Sequence, residues 1–207
     1  MTVMLLHDLG DPDAGDVWRS VAPPDWIVPD LPGHGNTPAP RNGHYDPMAP
    51  IAIARWSLTV DGDATLIGVA AHAHSALVHA AGGGCDRVIV VDGLGGPWRA
   101  PSEQIDTYYQ SLRSIVADRS ATDSPPDRGL DPRATYPYGI LTSAAFSQRF
   151  WAAIECPVAA IETPKSPTPR EERAERLAWF GGPTTLYELD TADPSAVVSA
   201  ALQWLNS

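Results

Sequence analysis

The chain has 207 residues, of which 14 are Lys or Arg and 25 are Asp or Glu, for a formal net charge of −11. That balance works against nucleic acid and anionic membrane as partners, and no apolar run approaches the roughly 20 residues a membrane-spanning helix needs. The two cysteines, Cys85 and Cys156, lie far apart without metal-ligand spacing and read as two buried, reduced thiols. Residues 1–6 lack the basic and long apolar regions of a signal peptide, so a cytoplasmic setting is expected. One domain is the expectation, since no repeat or low-complexity linker divides the chain.

In chain order, the first β-type run is residues 3–7, ending in His7-Asp8-Leu9-Gly10. A second, 26–28, leads into Pro29-Asp30-Leu31-Pro32-Gly33-His34-Gly35, where Pro and Gly punctuate the chain. Further apolar runs cover 64–69, 87–92, 158–163 and 184–189, and an amphipathic segment, 194–205, closes the chain. Helical stretches separate most of these runs, so the pattern predicts a mainly parallel sheet of about six strands flanked by helices. Residues 93–156 form a small cap or lid region in this reading, with helices over 102–118 and 142–155 around the Pro-rich loop Ser124-Pro125-Pro126-Asp127.

These motifs, in their order and spacing, resemble the α/β-hydrolase family. His7-Asp8-Leu9-Gly10 is similar to its oxyanion loop, with Asp8 in place of the usual first glycine, and residues 30–35 are similar to its Asp-x-Pro-Gly-His-Gly turn. The resemblance covers nearly the whole chain outside about 99–150 and implies an α/β-hydrolase-like fold. It also places the nucleophile elbow at Gly68-Val69-Ala70-Ala71-His72, where the nucleophile position holds Ala70. An alternative register, Ala73-His74-Ser75-Ala76-Leu77, would centre Ser75 but leaves only six residues for the following helix. At about 1.5 Å rise per residue that helix would barely cross the sheet. The first register leaves 71–81 for the helix and puts Ser75 one turn inside it, in a structural position.

A methyl group at Ala70 cannot attack a carbonyl, so ordinary Ser-His-Asp acyl transfer cannot start there. The family's general-base histidine is also missing: the segment after the last run reads Leu189-Asp190-Thr191-Ala192-Asp193-Pro194, and no histidine follows His79. Nor does Glu162-Thr163-Pro164-Lys165-Ser166 offer a well-matched Asp. The candidates for retained chemistry are His7 and His72 as proton carriers, with Asp92 as an orienting acid at a strand end. For His72 the alternative is a helix-start residue bonded to a loop carbonyl. His34 is expected to brace its Pro-Gly turn, and His74 lies about 200° around the helix from His72.

By its motif position, the resemblance makes the amides of Leu9 and Ala71 the oxyanion or ligand-binding donors, with Ala71 opening a helix whose dipole favours negative charge. Trp98, Tyr108, Tyr109 and Trp151 are candidates for an apolar pocket wall, against a plain packing role. The glycine runs 82–84 and 93–96 lack the setting or partners of a phosphate loop, so no cofactor is expected, and no compact ligand motif marks a metal site. Two functional readings follow. One is an atypical enzyme acting on a small, partly apolar carbonyl or ester-like compound; the other is a catalytically inactive relative that binds a metabolite or protein through the inherited pocket.

Overall fold

A computed structural model describes residues 1–8, 13–38, 63–95 and 150–207. In chain order the elements are β1 (Thr2–Leu6), α1 (Ala14–Val21), β2 (Ala64–Val69), α2 (Ala71–Ala81), β3 (Arg87–Val91), β4 (Val158–Glu162), α3 (Arg170–Leu177), β5 (Thr184–Glu188) and α4 (Pro194–Leu205). The five strands form one sheet in the order β1-β2-β3-β4-β5, every neighbouring pair parallel.

Strand alternation sorts the apolar side chains onto two faces. Met4, Leu6, Leu66, Val88, Val90, Val158 and Ala160 meet α2 and α3 residues such as Ala73, Leu77 and Leu177. Val3, Leu5, Ile67, Ile89, Val91, Ala159 and Ile161 meet Trp18 of α1 and Val197, Ala201 and Trp204 of α4. Both faces are covered, which is why the inner strands read as unbroken apolar runs rather than alternating ones. β5 is the exception, with a half-exposed Thr-Thr-Leu-Tyr-Glu strand at the sheet edge.

The expected sixth strand, 26–28, is reduced to a single parallel bridge between Ile27 and Met4. Ile27 exchanges two backbone bonds with β1, donating to Val3 O at 2.9 Å and accepting from Leu5 N at 2.8 Å. The ladder goes no further because the next bond to β1 would be donated by residue 29, and Pro29 has no amide to give; the Val28 carbonyl faces away from β1 and accepts from Arg19 at 2.8 Å. The described end of the expected 142–155 helix is also shorter: Phe150 and Trp151 are helical, and 152–155 leave the helix to approach β4. There the Ile154 carbonyl accepts from Gly182 N at 2.8 Å. The rest of the 93–156 cap region beyond Gly95, including the 102–118 helix, lies outside the described residues. Among the described residues no helix is long and apolar enough to cross a membrane.

One feature of this topology positions the site. From β1 the chain passes to the bridge at Ile27, on the outer side of β1, and then returns to β2 on the other side. The direction of strand addition reverses between β1 and β2, and open parallel sheets bind ligands outside the strands' carboxyl ends at such a reversal. His7 follows the last residue of β1, and Ala70 follows the last residue of β2.

Candidate active site

Ala70 sits at the turn between β2 and α2 with φ 48° and ψ −111°, a conformation an L-residue rarely adopts. Its amide donates to the Val91 carbonyl at 2.7 Å, tying the turn to β3. Sharpness of the turn depends on small neighbours. A Cβ on Gly68 would lie 2.5 Å from the His72 carbonyl oxygen and 2.6 Å from Ala73 Cα, and one on Gly93 would collide with Ala73 Cβ. Helix α2 therefore lies against the backbone of both strands, and this close crossing forces the elbow at Ala70. Ser75 is fully buried inside α2, as the favoured register requires.

Around this turn the structure gathers three imidazoles. His7 and His34 have ring centroids 4.8 Å apart, and His7 and His72 are edge-on at 6.5 Å. Each uses Nδ1 on a backbone carbonyl: His7 to Asp8 at 2.8 Å, His34 to Pro32 at 3.0 Å, and His72 to His7 at 2.6 Å. A carbonyl oxygen only accepts, so all three rings are assigned the Nδ1–H tautomer, with Nε2 carrying the lone pair. His72 thus makes the helix-start bond to a loop carbonyl and joins β1's exit to α2. His34 braces its turn and also packs on His7. Among the described residues, nothing partners the buried Nε2 of His7.

Burial sets the charge of these groups. It pulls His7 down to about 4 and His72 to about 3, outweighing the opposing effect of their carbonyl bonds. His74, facing Phe150 at 6.2 Å, falls to about 4 for the same reason. All three are neutral at pH 7.

Asp92 occupies the carboxyl end of β3, with φ 51°. Its carboxylate is turned toward β4: Oδ1 accepts from Thr163 N at 2.7 Å and Oδ2 from Thr163 Oγ1 at 2.8 Å. Burial raises its pKa, with the Thr163 bonds opposing. The structure thus brings His7 and His72 together at the elbow and joins Asp92 to Thr163, one strand along from Ala70. Beside Asp92 lies Glu162, a residue the sequence reading passed over. It is fully buried, accepts from Ser166 Oγ, and has Oε1 without a partner. Burial, reinforced by Asp92, pushes it up to about 7. A usable signal was present, because a carboxylate ending a wholly buried parallel strand needs either a partner or a proton.

Trp151 is 2% exposed and stacks on Phe180 at 4.7 Å, with Trp179 at 5.7 Å, within the core under α3. Leu9, Trp98, Tyr108 and Tyr109 lie outside the described residues. Ala71 opens α2, so its amide belongs to the first helical turn beside the elbow. After β5, Asp193 caps α4 by accepting from Ser195 N at 3.0 Å. Among the described residues no group of three or more His, Cys, Asp or Glu side chains is arranged to hold a metal ion.

Searches against protein-family models and against curated proteins return no match. Solved structures do match. A thermophilic esterase from Thermogutta terrifontis superposes with a TM-score of 0.72 at 16% identity, covering 100% of this chain and 89% of that one. The chain has the α/β-hydrolase fold. A monoacylglycerol lipase from Paleococcus ferrophilus (TM-score 0.66, 16% identity, 98% and 93% covered) and an α/β-hydrolase from Sphaerobacter thermophilus (0.66, 18%, 99% and 92%) are similar over the same span.

Proposed function

We propose that this chain is an atypical α/β-hydrolase-fold enzyme for a small, partly apolar carbonyl or ester-like compound, working without a Ser-His-Asp triad. The observation that carries the reading is His7 Nε2. Buried polar atoms are ordinarily partnered, and this lone pair is unmet beside the elbow, at the reversal where the fold binds ligands. With a pKa of about 4 the ring is unprotonated at neutral pH, so its base form is fully populated.

In this reading His7 accepts a proton or hydrogen bond from substrate or water, and His72 holds the His7 backbone in place through the 2.6 Å bond. The amide of Ala71, in the first turn of α2, donates to the oxygen on which negative charge develops. Asp92 positions the site by joining the carboxyl ends of β3 and β4 beside the elbow. The methyl group of Ala70 leaves room at the turn and takes no covalent part.

The test is turnover of a panel of small esters, lactones and ketones by the parent chain and by His7→Asn, with folding checked by circular dichroism. Asn retains an N–H for the Asp8 carbonyl and removes Nε2. Loss of at least about tenfold in kcat/KM, about 1.4 kcal/mol, is expected with the fold intact. Unchanged turnover in His7→Asn and in the His7→Asn/His72→Asn double variant would sink the assignment. Saturable binding of a panel compound with no turnover by the parent would establish the binding-protein reading instead. The alanine at the elbow and the Asp193 cap where a general base is expected favour that second reading.

A further inference from the structure

The two cysteines, 71 positions apart in sequence, are neighbours in space. The register pairs Val88 with Val158, and Val88 N donates to the Pro157 carbonyl at 3.0 Å. The lead-ins to β3 and β4 therefore run side by side, one carrying Cys85 and the other Cys156. Cys85 is buried in the core cluster, and Cys156, only half-buried, packs against that cluster. The two thiols lie close enough to shift each other's ionisation. Both thiols are free in this structure. The expectation of two buried, reduced thiols holds for Cys85, whereas Cys156 is only half-buried.

We propose that Cys85 and Cys156 are a redox modification site, closing an intramolecular disulfide when a hydroperoxide reaches the half-exposed sulfur. The site lies at the amino ends of β3 and β4, the opposite sheet edge from His7 and Ala70.

The two thiols have unequal roles. Cys156 is the one solvent reaches, and the neighbouring Cys85 thiol lowers its pKa. Cys85 is pushed up by Cys156 and by burial, so it keeps its proton until a partner forms. The Asp86 carboxylate, which accepts from Ala64 N at 2.8 Å, opposes ionisation of both sulfurs.

The chemistry balances in two steps. The Cys156 thiolate attacks the peroxide O–O bond, giving a sulfenic acid and, after protonation, one alcohol or water. The Cys85 sulfur then attacks the sulfenic sulfur; the S–S bond forms, the S–O bond breaks, and water leaves with the Cys85 proton. Two thiols lose two electrons and the hydroperoxide gains them. The paired backbones of β3 and β4 hold the two lead-ins side by side before oxidation.

The experiment uses the full chain and hydrogen peroxide. Thiols titrated in denaturant should fall from two to none, and a tryptic digest should contain residues 56–87 joined to 150–165. In Cys85→Ser, a dimedone adduct should accumulate at Cys156; in Cys156→Ser, Cys85 should stay reduced. The parent measurement decides the proposal even where a serine variant folds poorly. Two thiols still free after peroxide, Cys156 carried to sulfinic acid without the joined peptide, or disulfides solely between molecules would each overturn it.

Discussion

Acidification from pH 7 to pH 5 should destabilise this fold, with a sign and size set by four buried groups. His7, His72 and His74 have folded pKa values of about 4, 3 and 4, below the 6.5 of an unfolded imidazole. A depressed histidine contributes stability that is present above 6.5 and is lost as pH falls toward the folded value, because only the unfolded chain takes up the proton. Over this window each imidazole loses about 2 kcal/mol, or roughly 5–6 kcal/mol for the three. Glu162 acts the other way. Its folded pKa of about 7 lies above the usual 4.5, so its contribution is largest at low pH and is lost as pH rises through 7. Protonating it in the native state returns about 2 kcal/mol over the same interval. The raised Asp92 has the same sign, while Asp30, Glu188 and Asp193 are held low and titrate below the window. The net loss is about 3 kcal/mol, a large part of a typical domain's 5–15. Urea unfolding followed by tryptophan fluorescence at half-unit pH steps measures it. Glu162→Gln removes the opposing group and should steepen the fall to about 5 kcal/mol, while making the variant the more stable chain at pH 8. A flat or rising stability from pH 7 to 5 in Glu162→Gln would refute the assignment of neutral buried imidazoles.

Ala70→Gly should raise stability by about 1 kcal/mol in urea titration, because glycine tolerates φ 48° and the gain exceeds its added unfolded-state entropy; a loss would show that the methyl packs favourably enough to outweigh the strain. Gly68→Ala should cost about 3 kcal/mol, since its Cβ would meet the backbone of His72 and Ala73 at 2.5 and 2.6 Å, atoms that cannot rotate away; a variant within about 0.5 kcal/mol of the parent would mean that α2 is not seated on β2 as described.

The fold was legible wherever burial on both faces leaves a simple signature. The expected runs 3–7, 64–69, 87–92 and 158–163 contain the four strands with buried interiors, β1 to β4, and the helix expected over 71–81 is observed as Ala71–Ala81. The run at 26–28 has the same apolar character, yet its pairing is stopped by the missing amide of Pro29, which hydropathy does not register. His7 and His72 are candidates because each ends or follows such a run, and the structure places their rings 6.5 Å apart. What the sequence could not convey was orientation. Asp92 was expected to serve an imidazole, but a positive φ turns it toward Thr163. Glu162 was passed over because its role depends on burial and on Ser166, four residues on. The pairing of Cys85 with Cys156 required the β3–β4 register, a long-range fact no local pattern contains.

The elbow itself bears on how much chemistry can be read from fold likeness. Its strained backbone is usually explained by the nucleophile it presents, yet here it persists around a methyl group. The cause lies beneath it: Gly68 and Gly93 leave no side chain between α2 and the strands, so the chain must turn within one residue whatever that residue carries. Elbow geometry is therefore a property of the helix-on-strand crossing and is compatible with serine, alanine or glycine. Similarity to esterases and lipases tests that crossing and the sheet around it, and says nothing of the side chain at its apex. Chemistry must instead be sought in groups that the crossing does not require, and His7 Nε2 is one of them. The fold uses that ring's Nδ1 on the Asp8 carbonyl and leaves its buried lone pair unmet at the point where the strand order reverses.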